Sequence, residues 1–560
     1  MGLGILEDRT LPHVPGTVLL NDEVAHSEAI TGGLKHGTGK NAHIVLAPQP
    51  SEDPNDPLNW SAFKKETCLM ILTFGAMLNA ATNGPLLNSS IVVIADDLNR
   101  SITDIALLGG YNILAIGCSG PFYCAFSRKL GKRPAFLIST FFEIIGLIVC
   151  EVAKDYQTLV AGRVIMGLST SAFESLIIAA VGDMFFVHQR GVRVAFITFI
   201  LNAASSLASI ICGQITNSLG WPWLFHLLQI FTCIQFILMF LFCPETTYIR
   251  DHAYDIDQIQ DEKFEQLAEK EHRHERTDLA REDTGTVIPK KKTFVQELAI
   301  YTGIYTQDNV IKMLLGPFVT LLNIGAGWSC ICSGLLCAWY VTSGITQAGI
   351  FAGPPWFFNA SQIGYLSTGP FVGGLIGSAI VAWTSDPIAK WMTKLNKGIY
   401  EPEFRLVHLT IALICCGVGM FGYGHFTQVG YNANVCAVFQ GIMMTGVLIG
   451  TISPVAYALD AYRDSSNEIF IMNMLFKNFL FYGMSNVANN WIAASGPFQL
   501  FSVCAGTSMG LVPPLLSLLI QCALALPIYI FGKRLRSFWS RHNLLALWGM
   551  QSTGPVSVAG

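Results

Sequence analysis

Four charged side chains stand inside long apolar runs of this sequence, where they could pair with one another or carry protons. They are Glu143, Arg163, Glu174 and Lys477. A charge at membrane depth typically costs a few kcal/mol, so such residues suggest function before structure. A carboxyl group in a partly dehydrated cavity keeps its proton more readily than in water and can exchange it near neutral pH. These residue types therefore predict proton transfer and ion pairing.

Glu174 is the candidate proton-coupling residue. Arg163 and Glu174 are eleven residues apart in one apolar run. On a helix, this spacing brings them within about 20° of one face and roughly 16 Å apart along the axis. We expect Glu174 near the middle of the membrane and Arg163 nearer the outer end. The alternative is a purely structural ion pair, which is the interpretation that we prefer for Glu143.

Two interpretations of Lys477 remain open. Glu174 alone would favour a cationic substrate, by attraction across a low-dielectric cavity. In the first interpretation, Lys477 comes from the opposite half of the chain and neutralises Glu174 in a pair that breaks during transport. In the second, Lys477 extends away from the cavity or contacts helix carbonyl groups.

The elements that must position these residues are membrane-spanning helices. Of the 560 residues, 52% are hydrophobic and 13% are charged, against about 25% charged in an average soluble protein. The net charge of −4 gives no electrostatic surface for nucleic acid. Because a span needs roughly 20 apolar residues, we predict twelve spans, at about 67–95, 104–126, 134–153, 158–182, 193–218, 223–243, 311–341, 362–384, 405–424, 433–459, 467–491 and 503–532.

The predicted spans form two groups of six around one charged segment. We therefore expect an all-α membrane protein with two six-helix halves. The predicted division is a cytosolic N-terminal tail at 1–66, six-helix bundles at 67–243 and 311–532, a cytosolic linker at 244–310 and a cytosolic C-terminal tail at 533–560.

Basic residues in the short loops predict the orientation. With the N-terminus inside, four cytosolic loops carry eleven Lys or Arg residues and the opposite loops carry two, which is a strong positive-inside bias. Possible glycosylation sites at Asn99 and Asn359 then fall on the outer side. We expect a plasma-membrane protein with both termini cytosolic. Basic residues after the last span, including Lys533 and Arg536, are expected to lie against anionic lipid headgroups.

The sequence has no pattern typical of an enzyme, a metal site or a cofactor. Its fifteen cysteines lack the spacing of a zinc site. The linker histidines His252, His272 and His274 are better explained by a solvated segment than by a metal. No nucleophile–base pair, Walker motif or other Gly-rich phosphate loop is present, so neither an enzyme nor an ATP-driven pump is expected.

Several short motifs carry a family resemblance. They are Leu130-Gly131-Lys132-Arg133-Pro134 after the second span, Gly162-Arg163-Val164-Ile165-Met166-Gly167 in the fourth, Pro244-Glu245-Thr246 after the sixth, the approach Asp53–Trp60 and the loop Gly398–Leu406. With the 6 + 6 plan, these motifs resemble the major facilitator superfamily. Within it they are similar to the fungal drug:proton antiporter branch, particularly to members akin to the histidinol/polyamine carrier.

The resemblance implies a central cavity lined by the first, fourth, seventh and tenth helices. On those helices, Asn79, Asn83, Trp328 and Tyr457 are candidate substrate contacts, together with Lys477 of the eleventh. Packing is the alternative for each. Gly131, Lys132 and Arg133, with Asp386 in the repeated loop, are candidate gating residues.

Two departures from the family pattern bear on gating and direction. Arg128 stands where the signature has an acidic residue, whereas the repeated loop keeps Asp386. We expect Asp386 to face the positive N-terminal end of the fifth span, beside Arg190 and Arg193. The Gly-Pro antiporter signature is missing from the fifth span, where Asn202–Ser209 is found instead. The resemblance therefore leaves the direction of transport open.

These observations predict a proton-coupled secondary transporter that works by alternating access. The expected substrate is a small organic compound, and the expected activity is efflux of drugs or secondary metabolites. The alternatives are uptake of organic cations such as polyamines, and a transport-silent nutrient receptor. We expect a monomer whose partners are its substrate, protons and the lipid bilayer.

Overall fold

The structure of the chain is helical almost throughout. It is a computed structural model that describes residues 3–6, 14, 17–19, 50, 51, 53–82, 85–248, 290–307, 309–396, 399–462, 465–509 and 525–542.

Within the described residues, seven α-helices precede the linker. They are α1 (Ala62–Ala76), α2 (Ile91–Leu98), α3 (Ile102–Leu130), α4 (Lys132–Glu151), α5 (Tyr156–Met184), α6 (Val187–Leu219) and α7 (Pro222–Phe242). A π-helix at Met77–Thr82 and a 3₁₀ turn at Pro85–Leu87 lie between α1 and α2. The first predicted span is therefore broken, as a proline without a backbone N–H would cause.

After α7, the described part of the chain has nine α-helices, the first of which lies within the predicted linker. They are α8 (Phe294–Glu297), α9 (Val310–Thr320), α10 (Ile324–Phe351), α11 (Ala360–Tyr365), α12 (Thr368–Leu395), α13 (Leu409–Val429), α14 (Ala433–Ala461), α15 (Ser466–Met509) and α16 (Ala525–Arg541). A 3₁₀ helix, Pro402–His408, precedes α13, and α15 bends at Gly496. Two short strands, β1 (Val18–Leu19) and β2 (Ile399–Tyr400), pair in antiparallel fashion.

The seventh predicted span is divided, which the sequence pattern did not indicate. The helix ends at Thr320 and a new one begins at Ile324, with Asn323 between them. The Asn323 side chain accepts hydrogen bonds from the N–H groups of Gly325 and Ala326. Such a cap satisfies donors that a helix start leaves unpaired, so this polar residue begins a helix inside an apolar run.

Helices on either side of the linker form one body. Helix α3 lies along α15, and α6 packs against α11 and α12. We call the end at which Phe242 and Val310 lie the linker side, because the segment between them joins the two halves. Within the described residues, nine helical stretches are long and apolar enough to span a membrane. The exact number of twelve stays a prediction.

Helices α12 and α14 approach closely through glycines. A Cβ atom on Gly373 would overlap the carbonyl oxygen of Gly441. A Cβ atom on Gly369 would likewise overlap the carbonyl oxygen of Ala437. Small residues let helix backbones approach in this way in membranes. The neighbouring Gly374 has more space, since the nearest heavy atom to its Cβ position is Met444 Cε at 3.8 Å.

We predict that Gly373→Ala destabilises the protein whereas Gly374→Ala does not. The first substitution forces the two backbones apart, and overpacking of this kind costs about 1–3 kcal/mol. The second adds a methyl group in ordinary contact and favours the helix. Unfolding temperatures of the purified variants in detergent measure the difference. Equal unfolding temperatures would contradict the proposed backbone contact.

Candidate functional site

A cavity of about 310 Å³ lies between the two halves. Its walls come from the segment just before α2 and from eight α-helices. The lining polar and charged residues are Asn88, Ser89, Thr170, Glu174, Asn202, Ser205, Ser206, Ser209, Tyr340, Gln347, Ser367, Gln440, Lys477 and Asn478. The lining thus includes residues of the first, fourth, seventh and tenth predicted spans, which were expected to line a cavity. It also includes residues of α3, α6, α11, α12 and α15.

An ion pair between Glu174 and Lys477 joins the two halves at this cavity. The Lys477 ammonium group donates a hydrogen bond to Glu174 Oε1. Their side chains are 23% and 28% exposed, and among the described residues they are the only charged ones in the cavity lining. The structure therefore agrees with the first interpretation of Lys477, in which this residue contacts Glu174 across the cavity.

Neutral polar groups complete the cavity, and most of them were not singled out in the sequence. Gln440 donates to Ser343 Oγ at 3.2 Å and to Gln347 Oε1 at 3.3 Å. The buried Nδ2 of Asn478 has no hydrogen-bond partner within the described part of the chain. That donor is available to a bound molecule. Its position directly after Lys477 was the one signal that could have identified it.

Arg163 lies apart from the cavity. Its side chain is fully buried inside the N-terminal half, as is that of Glu143 on α4. Asn112 donates a hydrogen bond to the Arg163 carbonyl oxygen at 2.9 Å. The expectation that Arg163 shares a cavity face with Glu174 is wrong for this conformation, because the Arg163 side chain is fully buried inside the N-terminal half and does not line the cavity.

The aromatic candidates pack against each other instead of lining the cavity. The rings of Trp328 and Tyr457 are edge to face with centroids 6.4 Å apart, and both side chains are buried. Asn79 is also buried, and its amide donates to the Gly75 carbonyl oxygen. These three candidate substrate contacts therefore do not line this cavity. Asn83, the fourth candidate, lies outside the described residues.

The predicted gating motif lies on the linker side, where a carboxylate caps α4. Gly131 has a φ of 98°, and a side chain there would overlap Glu245. Glu245 accepts hydrogen bonds from the backbone N–H groups of Lys132 at 2.9 Å and Arg133 at 3.1 Å. A negative charge at a helix N-terminus is favourable. The Pro244-Glu245 motif therefore holds the Gly131 turn in place.

Lys132 and Arg133 make their contacts within the N-terminal half and the linker. The Lys132 ammonium group pairs with Asp183 of α5. The Arg133 guanidinium donates to the carbonyl oxygens of Phe240 at 2.8 Å and Leu298 at 3.2 Å. In this conformation, the motif orders its own half and makes no described ion pair to the other.

On the linker side, Arg128 forms an ion pair that joins the two halves. Its guanidinium is 3.1 Å from Glu468 Oε1 at the start of α15. The side chains are 23% and 9% exposed, so solvent screens this pair only in part. The arginine that departs from the family signature thus finds a carboxylate on the opposite half.

The two arginines expected beside Asp386 both bind other groups. Arg193 pairs with Glu66 of α1, and Arg190 donates to the carbonyl oxygens of Phe185 and Gly182, both at 2.9 Å. The side chain of Asp386 lies outside the described residues. Asn99 and Asn359, the predicted glycosylation sites, are both exposed at the end opposite the linker side.

Comparison with protein families identifies the chain. Residues 69–478 match the model of the Major Facilitator Superfamily. The chain belongs to this superfamily, as its motifs indicated. It is therefore a multi-pass membrane protein and a secondary transporter, in a family of transporters and not of enzymes.

Two fungal relatives match over nearly their whole length. An uncharacterized MFS-type transporter of Schizosaccharomyces pombe is 25% identical, over 95% of this chain and 94% of the relative. Protein HOL1 of Saccharomyces cerevisiae is 23% identical, over 96% of this chain and 97% of the relative. The proton:xylose symporter XylE from E. coli has the same fold, with a TM-score of 0.53 at 12% identity, covering 86% of this chain and 100% of that one.

We predict that Arg128 and Glu468 hold the linker side closed. Arg128→Glu would bring two carboxylates together and open the seam, and Glu468→Arg in the same chain would restore most of the contact. Coupling between contacting residues is about 0.5–3 kcal/mol. The native reporter is Cys124, which is buried one turn before Arg128. Its rate of alkylation, followed by mass spectrometry, should rise in the single variant and fall again in the double variant.

The matched control is the pair of Lys64 and Glu297, whose side chains are 26% and 22% exposed. This pair links α1 to the linker and does not join the two halves. Lys64→Glu should therefore leave the Cys124 alkylation rate unchanged. A faster reaction in that variant too, or no recovery in the double variant, would argue against a closing role for Arg128.

Proposed function

We propose that this transporter couples the movement of a small organic compound to protons, with Glu174 as the proton-carrying acid and Lys477 as its counter-ion. The single observation that supports this most is the contact between Glu174 and Lys477 across the central cavity. A carboxylate that can pair, protonate or bind a cationic group is the ionisable element that proton coupling requires.

The proposed cycle follows from the cost of leaving either charge unpaired. Removing one partner from a desolvated ion pair leaves an uncompensated charge, which is costly. Protonation of Glu174 removes that cost for the acid and frees Lys477. The two halves can then separate at the cavity, so proton binding favours one conformation over the other. Release of the proton restores the pair.

The cavity is suited to a small molecule with several hydrogen-bonding groups. Its volume of about 310 Å³ is at the lower end of the 300–1,000 Å³ typical of ligand pockets. Amide groups of Asn202, Gln347, Gln440 and Asn478 line it. Such groups fix the orientation of a bound compound, while the pair of opposite charges gives the cavity no net charge.

Export is the direction that we propose, at the plasma membrane with the linker side and both termini cytosolic. This part of the proposal rests on the other motifs that resemble the fungal drug:proton antiporter branch, since the Gly-Pro signature of the fifth span is missing. Uptake of organic cations such as polyamines is the second candidate, because Glu174 would bind a cation whenever Lys477 moved away. Neither cytosolic segment suggests a separate signalling role.

A vesicle experiment separates the two directions. Right-side-out and inside-out vesicles carrying the protein would be given an imposed proton gradient and a panel of organic cations, drugs and polyamines. Accumulation against the direction of proton flow indicates antiport and supports export, whereas accumulation with it indicates symport and supports uptake. A compound that moves equally with and without the gradient would contradict proton coupling.

We predict that Glu174→Gln lowers proton-driven accumulation at least tenfold, because the amide cannot take up or release the proton. Exchange of labelled for unlabelled compound without a gradient should persist, since the cavity is otherwise intact. The measurement is uptake per folded molecule in reconstituted vesicles of the two proteins.

Glu143→Gln is the matched control, because it makes the same change in a buried carboxyl group that does not line the cavity. This variant should keep its dependence on the proton gradient even if it unfolds at a lower temperature. Gradient-driven accumulation that survives Glu174→Gln would rule out the proposed role of Glu174.

A further inference from the structure

The linker-side end of the C-terminal half carries a groove that is filled by the first residues of the chain. Ile5 is 2% exposed and packs in one apolar cluster with Met392 of α12 and with Phe404 of the loop before α13. Val14 is also buried, at 3% exposure. Side chains near the chain start that are buried in this way are parts of a packed interface and not of a solvated tail.

Backbone hydrogen bonds fix the same segment at several points. The Leu6 N–H donates to the Ile530 carbonyl oxygen of α16 at 2.9 Å, and the Tyr529 hydroxyl donates to the Leu3 carbonyl oxygen at 3.1 Å. Further along, β1 pairs with β2, with Val18 opposite Tyr400. Addition of a strand to an exposed edge is a recurring mode of peptide recognition.

A buried cluster of charges lies beside this strand pair. Arg536 of α16 is 2% exposed and donates to Glu401 Oε2 at 2.6 Å and to Glu403 Oε2 at 3.0 Å, while Lys533 pairs with Glu401 at 2.8 Å. Thr17 joins the cluster, because its hydroxyl donates to Glu401 Oε2 at 2.8 Å and accepts from Arg536 at 3.2 Å.

The expectation that the basic residues after the last span lie against lipid headgroups is therefore wrong for Arg536. Its guanidinium is enclosed by carboxylates of the loop before α13. Burial alone would raise the pKa of the Glu401 carboxyl, but attraction to Arg536 and Lys533 lowers it below its ordinary value. Glu401 thus stays ionised at neutral pH and keeps both cations and Thr17 in place.

Chain connectivity does not force this docking. The chain reaches α1, in the N-terminal half, only after residues 20–49, which can span up to about 100 Å. The first residues could accordingly lie far from the C-terminal half, yet they occupy its groove through apolar, backbone and charged contacts. The contacts themselves account for the arrangement.

We propose that this groove, formed by α12, α16 and the loop at 399–408, is a binding site for the N-terminal segment, which it holds through residues 3–6, 14 and 17–19. The docked segment holds the loop between α12 and α13 in place. Because the segment binds as a separable ligand, its release loosens that loop while the helices stay folded. This inference does not depend on the substrate or on proton coupling.

The test uses the full chain with a specific protease site inserted at Gly32-Gly33, between the segment and α1. After cleavage and size-exclusion chromatography in detergent, intact-mass spectrometry measures how much of the N-terminal fragment remains bound. We expect nearly complete retention for the wild-type segment. Ile5→Asp should lower retention at least tenfold, because it introduces a charge into the apolar cluster.

Leu3→Asp is the matched control, since the Leu3 side chain is 39% exposed and only its backbone carbonyl is bonded. This variant should retain the fragment as the wild type does. Hydrogen exchange at residues 399–408 should rise when the fragment is lost, while exchange in α14 stays unchanged. Loss of the wild-type fragment on the column, or equal retention of the Ile5→Asp fragment, would overturn the proposal.

Discussion

The pairing of opposite charges in a small cavity is the constraint on which the rest of the structure depends. Glu174 comes from α5 and Lys477 from α15, so each half of the chain carries one charge that it cannot satisfy alone. In a low-dielectric interior, such charges must be paired, hydrated or protonated. The two halves are thus held together at the cavity by an interaction that a proton or a charged ligand can replace.

The sequence was sufficient to predict the fold of two helical halves and to single out the two charged residues that meet at the cavity. Long apolar runs interrupted by single charges are rare enough to be interpreted directly, which is how Glu174 and Lys477 were identified before their contact was known. The prediction was less successful where every face of a helix is apolar. Trp328 and Tyr457 stand on the expected cavity helices, yet their rings pack together in the core, and no periodicity distinguishes a cavity face from a packing face on such helices.

Polar residues with small side chains were also difficult to interpret from sequence. Asn323 begins a helix, Ser205 lines the cavity, and Asn478 presents to it an Nδ2 group that has no hydrogen-bond partner among the described residues. All three stand in similar apolar surroundings. Their roles depend on which backbone groups lie nearby in three dimensions. The docking of Ile5 in a groove almost 400 residues away could not be predicted for the same reason.

On the linker side, an ion pair between the halves uses an arginine at the position where the family signature has an acidic residue. Arg128 replaces an expected acid, and Glu468 of the opposite half provides the complementary carboxylate. Glu245 meanwhile satisfies the N-terminus of α4. In this conformation, the Arg128–Glu468 ion pair therefore joins the two halves on this side.

The glycine contact between α12 and α14 has a mechanical consequence. The backbones that touch at Gly373 and Gly441 have no layer of side chains between them. The two helices would therefore tilt together as one rigid unit. Helix α12 has 28 residues, or about 42 Å at 1.5 Å per residue. A rotation of about 10° at one end then displaces the other by roughly 7 Å, comparable with the width of a small organic molecule.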